Sequence, residues 1–102
     1  MQGYLTEFWK QPGETHPRSH NWAPNLPEGM SIATVDALCF ELASGEDLSD
    51  DILNDSIDHA GVYEVYTVDG GISGLDYKII LKMTRSDGAV FEDEILMHVR
   101  EL

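Results

Sequence analysis

Tyr77-Lys78-Ile79-Ile80-Leu81-Lys82-Met83-Thr84 leads into Arg85-Ser86-Asp87-Gly88, and the chain returns through Phe91-Glu92-Asp93-Glu94-Ile95-Leu96-Met97-His98-Val99. In the outgoing run Tyr77, Ile79, Leu81 and Met83 fall on one side of a period of two. Lys78, Lys82 and Thr84 take the other side, joined by Ile80. In the returning run Phe91, Ile95, Met97 and Val99 share a side, opposite Glu92, Glu94, His98 and Arg100. An Asp-Gly pair between two alternating runs predicts a hairpin, because Gly88 can take the positive φ that such a turn needs. Asp93 breaks the pattern, since its parity places it with Phe91 and Ile95.

Upstream, Gly61-Val62-Tyr63-Glu64-Val65-Tyr66-Thr67-Val68 is rich in β-branched and aromatic residues and predicts another strand, closed by Asp69-Gly70-Gly71. Residues 34–43 fit two periods. Val35, Leu38, Cys39 and Leu42 form a helical stripe ending near Gly45, whereas a period of two groups Leu38, Phe40 and Leu42 opposite Val35, Ala37 and Cys39. The strand-rich surroundings favour a strand. Between 44 and 56 the acids Glu46, Asp47, Asp50, Asp51 and Asp55 alternate with Leu48, Ile52 and Leu53. This spacing allows one helical turn capped by the Ser49 side chain, with Asp50 and Asp51 in the first turn where the helix dipole favours them. Pro17, Pro24 and Pro27 exclude a regular helix between 14 and 29, and Trp22 is the expected anchor of that stretch to the core. Tyr4, Leu5, Phe8 and Trp9, ahead of Pro12-Gly13, suggest an N-terminal arm or edge strand over 1–13, with the rest of a single domain over 14–102.

The composition narrows the function. Six Lys and Arg stand against nineteen Asp and Glu, for a net charge of −13. No cation lies between Arg18 and Lys78, an interval that holds twelve acids. Such a surface repels phosphates and anionic lipid, so neither nucleic acid nor membrane is an expected partner; a basic protein surface is. The only cysteine, Cys39, has apolar neighbours, which predicts a buried, inert thiol and no intrachain disulfide. The N-terminus shows no signal peptide, and no apolar run approaches the roughly 20 residues of a membrane span.

Catalytic and metal patterns fit poorly. Counted from Asp47 as a calcium loop, the sixth position is Ile52 rather than glycine and the twelfth is Asp58 rather than glutamate. His16 and His20 are four apart, but Pro17 between them denies the helical face that would unite them as zinc ligands. Glu92 and Glu94 point to water, facing cross-strand lysines such as Lys82 or Lys78. No serine sits in a nucleophile-elbow pattern, and the glycines of 70–74 do not open a helix. The reading is no enzyme, with no catalytic, cofactor or metal residues.

Several separated residues form a pattern: Lys10-x-Pro12-Gly13-Glu14, Trp22, and Leu26-Pro27-x-Gly29-x-Ser31-Ile32-Ala33. Gly70-Gly71-x-x-Gly74-x-x-Tyr77, Thr84-x-Ser86-Asp87-Gly88 and Val99-Arg100 complete it. Over about residues 10–100 the chain resembles a family of small bacteriophage and prophage structural proteins, described as fibre–tail adaptor or tail-associated proteins. The acidic segment 36–58 departs from that pattern, where the family usually has a short Ser/Thr-rich strand pair. The resemblance implies an immunoglobulin-like β-sandwich, and the strand and turn spacing agrees with an all-β fold of about six or seven antiparallel strands. It also implies a non-enzymatic connector of the tail or head–tail region, found in the virion or, when expressed from a prophage, in the host cytoplasm. Its partners would be other tail proteins and further copies of itself. The expected interface combines Lys78, Lys82 and Arg85 of the hairpin with Asp47, Asp50 and Asp51 of the acidic segment. Two other functions fit the residues: an acidic inhibitor of a basic, nucleic-acid-handling protein, and a carbohydrate-binding sandwich using an exposed Trp9 or Trp22.

Overall fold

A computed structural model describes residues 6–53 and 56–101; the expected roles of Tyr4, Leu5 and Asp55 lie outside them. The hairpin is present as β6 (Asp76–Arg85) and β7 (Val90–Val99). Its register pairs Tyr77 with Met97, Ile79 with Ile95 and Met83 with Phe91, so the alternating side chains of both strands meet on one face. Gly88, at φ 93°, makes the turn. Tyr77, Ile79, Leu81, Met83, Ile95, Met97 and Val99 are all buried. Burying a large apolar side chain contributes about 1.5–3 kcal/mol, so this face is the main source of cohesion.

β3 (Ile32–Glu41) pairs with the outer edge of β6, which settles the ambiguous stretch as strand as far as Glu41, with Ala37 and Cys39 inward, while 42–43 form the turn that follows. β1 (Thr6–Lys10) pairs with β7 and completes a sheet of order β1-β7-β6-β3. That pairing is parallel, a correction to the all-antiparallel expectation. The first and last described strands thus lie side by side. A second sheet, β2-β5-β4, is built from His16–Asn21, Tyr63–Val68 and Asp58–Ala60. Together they form an all-β, two-sheet sandwich with Trp22, Tyr66 and Val68 in its core. Trp22 is fully buried, as expected of the anchor.

The acidic segment contains the expected helical turn, α1 (Ser49–Leu53), with Ile52 and Leu53 in the core. The capping differs. Asp47 Oδ1 accepts the Ser49 backbone N–H at 2.9 Å, while the Ser49 hydroxyl accepts the Cys39 N–H at 2.9 Å. Ser49 therefore fastens the turn to β3 rather than capping it. The carbonyl of Glu46 and the amide of Leu48 bond Glu41 and Cys39, so residues 46–49 shield the outer edge of β3. An exposed strand edge invites pairing with other chains, and this segment covers part of one.

β1 belongs to the sheet opposite β2, so the side of the sandwich between them is closed by side chains. Arg18 lies 3.6 Å over the Phe8 ring and reaches the Tyr66 hydroxyl at 3.3 Å. His20 Nε2 lies 2.7 Å from Asp93 Oδ2, which accounts for the inward parity of Asp93. The Trp22 indole N–H donates to Glu64 Oε1 at 3.0 Å. His16 and His20 both face inward on β2, but positions four apart on a strand are separated by about 13 Å, too far to share an ion.

Candidate interaction surface

The outer face of the four-stranded sheet can be read from its register. One row runs Trp9, His98, Asp76; the next Glu7, Leu96, Lys78, Phe40; the next Glu94, Ile80, Leu38; the last Glu92, Lys82, Asp36. On a sheet with one solvated face these positions favour polar side chains. Yet Leu38, Phe40, Ile80 and Leu96 lie there half-buried and adjacent, with Leu42 and Trp9 exposed beside them. The sequence offered a signal for this set, namely Ile80 among the lysines of β6 and Leu96 among the acids of β7, but each looks isolated until the register joins them.

Two clefts follow β3 along this face. One of about 310 Å³ is lined by Phe40, Glu41, Leu42, Gly45, Lys78 and Ile80. The other, about 520 Å³, puts Leu38 beside Glu46, Asp47, Asp50 and Asp51. The apolar floor therefore borders the acidic segment directly.

The structure does not gather the sequence-predicted residues into one site on this surface. Lys78 is in its middle, between Phe40 and Leu96, and makes no ion pair among the described residues. Lys82 lies 3.4 Å from Glu92. Arg85 forks onto Asp87 at 2.9 and 2.8 Å and bonds the Asn25 carbonyl, so it holds the hairpin turn. Arg100 likewise bonds Asp76 at 2.9 Å. Three of the four hairpin cations are thus neutralised within the sheet, and they form no positive patch. Asp50 and Asp51 are exposed, and Asp47 is occupied with the start of α1. Glu94 faces Ile80, not a lysine, whereas Glu92 does face Lys82.

At the lower corner Trp9 stacks on His98 with ring centroids 4.4 Å apart and remains 57% exposed. His98 bridges Glu7 at 3.1 Å and Asp76 at 2.8 Å, linking β1 to β6 across β7. Its pKa lies above the usual 6.5, first through the hydrogen bond to Glu7 and then through Asp76, against some desolvation. In an NMR titration His98 is therefore expected to have a midpoint above 6.5 that falls in Glu7→Gln; an unchanged midpoint in that variant would show that Glu7 does not hold the proton.

Elsewhere the most perturbed groups are sealed. Cys39 is fully buried, and its thiol is pushed up to about 12 by burial and by Asp47. Glu64 is fully buried and raised to about 8. Neither is open to a substrate. Among the described residues no group of three or more His, Cys, Asp or Glu gathers in a metal-binding arrangement, and no helix is long and apolar enough to cross a membrane. No protein-family model matches this chain, and no curated protein matches it.

Proposed function

We propose that this protein is a non-enzymatic connector that acts through protein–protein contacts, a structural component of a phage or prophage particle in the tail or head–tail region. The observation that carries the contact function is the apolar set Leu38, Phe40, Ile80 and Leu96 on the solvent face of a sheet. Contiguous apolar surface of this kind marks an interaction site in a soluble domain. The assignment to a particle rests on the glycine, proline and tyrosine pattern of the sequence. Two structural features support the immunoglobulin-like form of that reading. Strands β2, β5 and β4 face β3, β6 and β7, as in that fold, with the first strand moved to the edge of β7. The hydroxyl of Tyr77, at the start of β6, accepts the N–H of Ile72 at 2.9 Å, the geometry of the tyrosine corner.

The test is to induce a host carrying the gene, purify the particles and analyse their proteins by mass spectrometry. The chain is expected in the particles in fixed proportion to the tail proteins. Its absence from intact particles would overturn the reading.

The exposure of Trp9 favours a second reading, a carbohydrate-binding module in which the indole forms a sugar-stacking platform. Because Trp22 is buried, a fluorescence change on adding sugars would report Trp9 and vanish in Trp9→Ala. No response to a panel of mono- and disaccharides would remove this reading.

A further inference from the structure

We propose that the outer face of β3, β6 and β7 seats an amphipathic helix of a partner protein, its apolar stripe on Leu38, Phe40, Ile80 and Leu96 and its Lys/Arg flank along Glu46, Asp50 and Asp51. The inference rests on the reading of this face as a protein-contact surface and names what covers it.

Three observations select that occupant. The first is size. Adjacent strands are about 4.8 Å apart, so apolar side chains on three neighbouring strands span about 10 Å, the width of one helix. A helix laid on a sheet is the usual means of covering an apolar sheet face, with an apolar stripe as its contact. The second is charge. The floor is bordered on the β3 side by Glu46, Asp47, Asp50 and Asp51, with no cation among the residues lining that cleft. Glu94 stands on the β7 side, next to the Glu92–Lys82 pair. A helix with basic flanks meets acids on both sides, and this complementarity sets partner choice and association rate. The third is Lys78, in the middle of the floor and without an ion pair among the described residues; its stem adds apolar surface beneath the helix while its ammonium reaches out to water.

A second copy of this chain is a poor occupant. Each copy carries a net charge of −13, and a two-fold contact through this face would set the same acids against each other. The backbone edge of β3 is also a poor docking line near Cys39–Glu41, because residues 46–49 already bond it.

The test uses the full chain and a fluorescein-labelled leucine–lysine peptide patterned as an amphipathic helix, followed by fluorescence anisotropy. Two control peptides are a scramble of the same composition without the apolar stripe and a version with glutamate for lysine. The patterned peptide is expected to bind at least about tenfold more tightly than the scramble and to weaken steeply with added salt, while the glutamate version does not bind. Phe40→Ser and Ile80→Thr are each expected to reduce affinity about tenfold or more, and Asp50→Asn with Asp51→Asn about threefold to tenfold. The Asp50 and Asp51 side chains are exposed, so that variant separates loss of binding from loss of folding. Equal binding of patterned and scrambled peptides, or no effect of Phe40→Ser in a folded variant, overturns the proposal. So does a concentration-dependent dimer of the free chain that Phe40→Ser dissolves. A chain found in particles that does not bind the peptide refutes the helix and leaves the connector standing; peptide binding by a chain absent from particles does the reverse.

Discussion

Glu64→Gln is expected to be more stable than the wild type at about pH 9 and to lose most of the wild-type decline in stability between about pH 5 and 9. Glu64 is fully buried on β5, its Oε1 accepts the Trp22 indole N–H, and its Oε2 meets no hydrogen-bond partner among the described residues. Burial pushes its carboxyl from 4.5 up to about 8; the Trp22 hydrogen bond opposes the rise and the charge of Asp36 adds to it. Between those two values the folded protein keeps a proton that the unfolded chain has released. The stability this confers is complete below 4.5 and is lost as the pH rises through about 8. Each pH unit between the two values corresponds to about 1.4 kcal/mol, so the loss is on the order of 3–5 kcal/mol, or roughly 15 °C or more in a domain of this size. Glutamine keeps the acceptor for Trp22 and has no proton to lose. Its amide leaves N–H groups unpaired at about 1–3 kcal/mol, so the variant starts below the wild type at about pH 5 and crosses it on the way up. Thermal melts at several pH values check this. Parallel curves for the two proteins would mean that Glu64 is not the titrating group.

Other groups shape the same curve. His98, with a raised pKa, also contributes stability below its unfolded value that is lost as pH rises through its folded one, and this slope survives in Glu64→Gln. Asp76, Asp87, Asp47 and Glu14 have lowered pKa values and act oppositely; their contribution is present at neutral pH and lost in strong acid. The optimum therefore falls at mildly acidic pH, where the net charge of −13 also begins to shrink.

The hairpin was legible in the sequence because a period of two and an Asp-Gly turn are local signals, and both strands came out with the expected faces. The stretch 34–43 was harder, since a helical and an extended period coexist there; pairing with β6 makes it strand as far as Glu41, and that pairing is not local. The parallel β1–β7 contact has no local signature, because its partners are about 90 residues apart in the sequence. Asp93 and Glu64 show the same limit from the other side. Alternation marked Asp93 as anomalous, but its partner His20 lies in the opposite sheet and 73 residues away in sequence. Glu64 looked like an ordinary polar position in a β-branched run, and only the arrival of Trp22 above it makes it a buried acid. The candidate surface was half visible. The acids at 47, 50 and 51 were identified from charge alone, whereas Leu38, Phe40, Ile80 and Leu96 become one patch only through the register of three strands.

Gly71→Ala is expected to lower the thermal midpoint by about 10–20 °C, about two to three times the effect of Gly74→Ala, and the comparison separates backbone strain from packing. The two glycines have nearly the same backbone angle, φ 93° and 94°. An L-residue in that region costs about 1–2 kcal/mol, and both variants bear that cost. Around Gly74 an added Cβ meets nothing within 4 Å, so the cost ends there. At Gly71 the added Cβ falls 2.8 Å from Val99 Cγ2 and 3.6 Å from the Tyr77 ring. Val99 and Tyr77 are both buried, so neither can turn into solvent to make room. Overpacking of this kind adds about 1–3 kcal/mol. The damage also reaches the corner, because the next amide, that of Ile72, is the donor to the Tyr77 hydroxyl. Truncating the obstacle provides the internal check. Val99→Ala destabilises by itself through the cavity it leaves, but in combination with Gly71→Ala it is expected to cost less than the sum of the two, since the contact at 2.8 Å is gone. Additive effects in the double variant, or equal losses in Gly71→Ala and Gly74→Ala, would show that the close approach to Val99 is not what reserves position 71 for glycine.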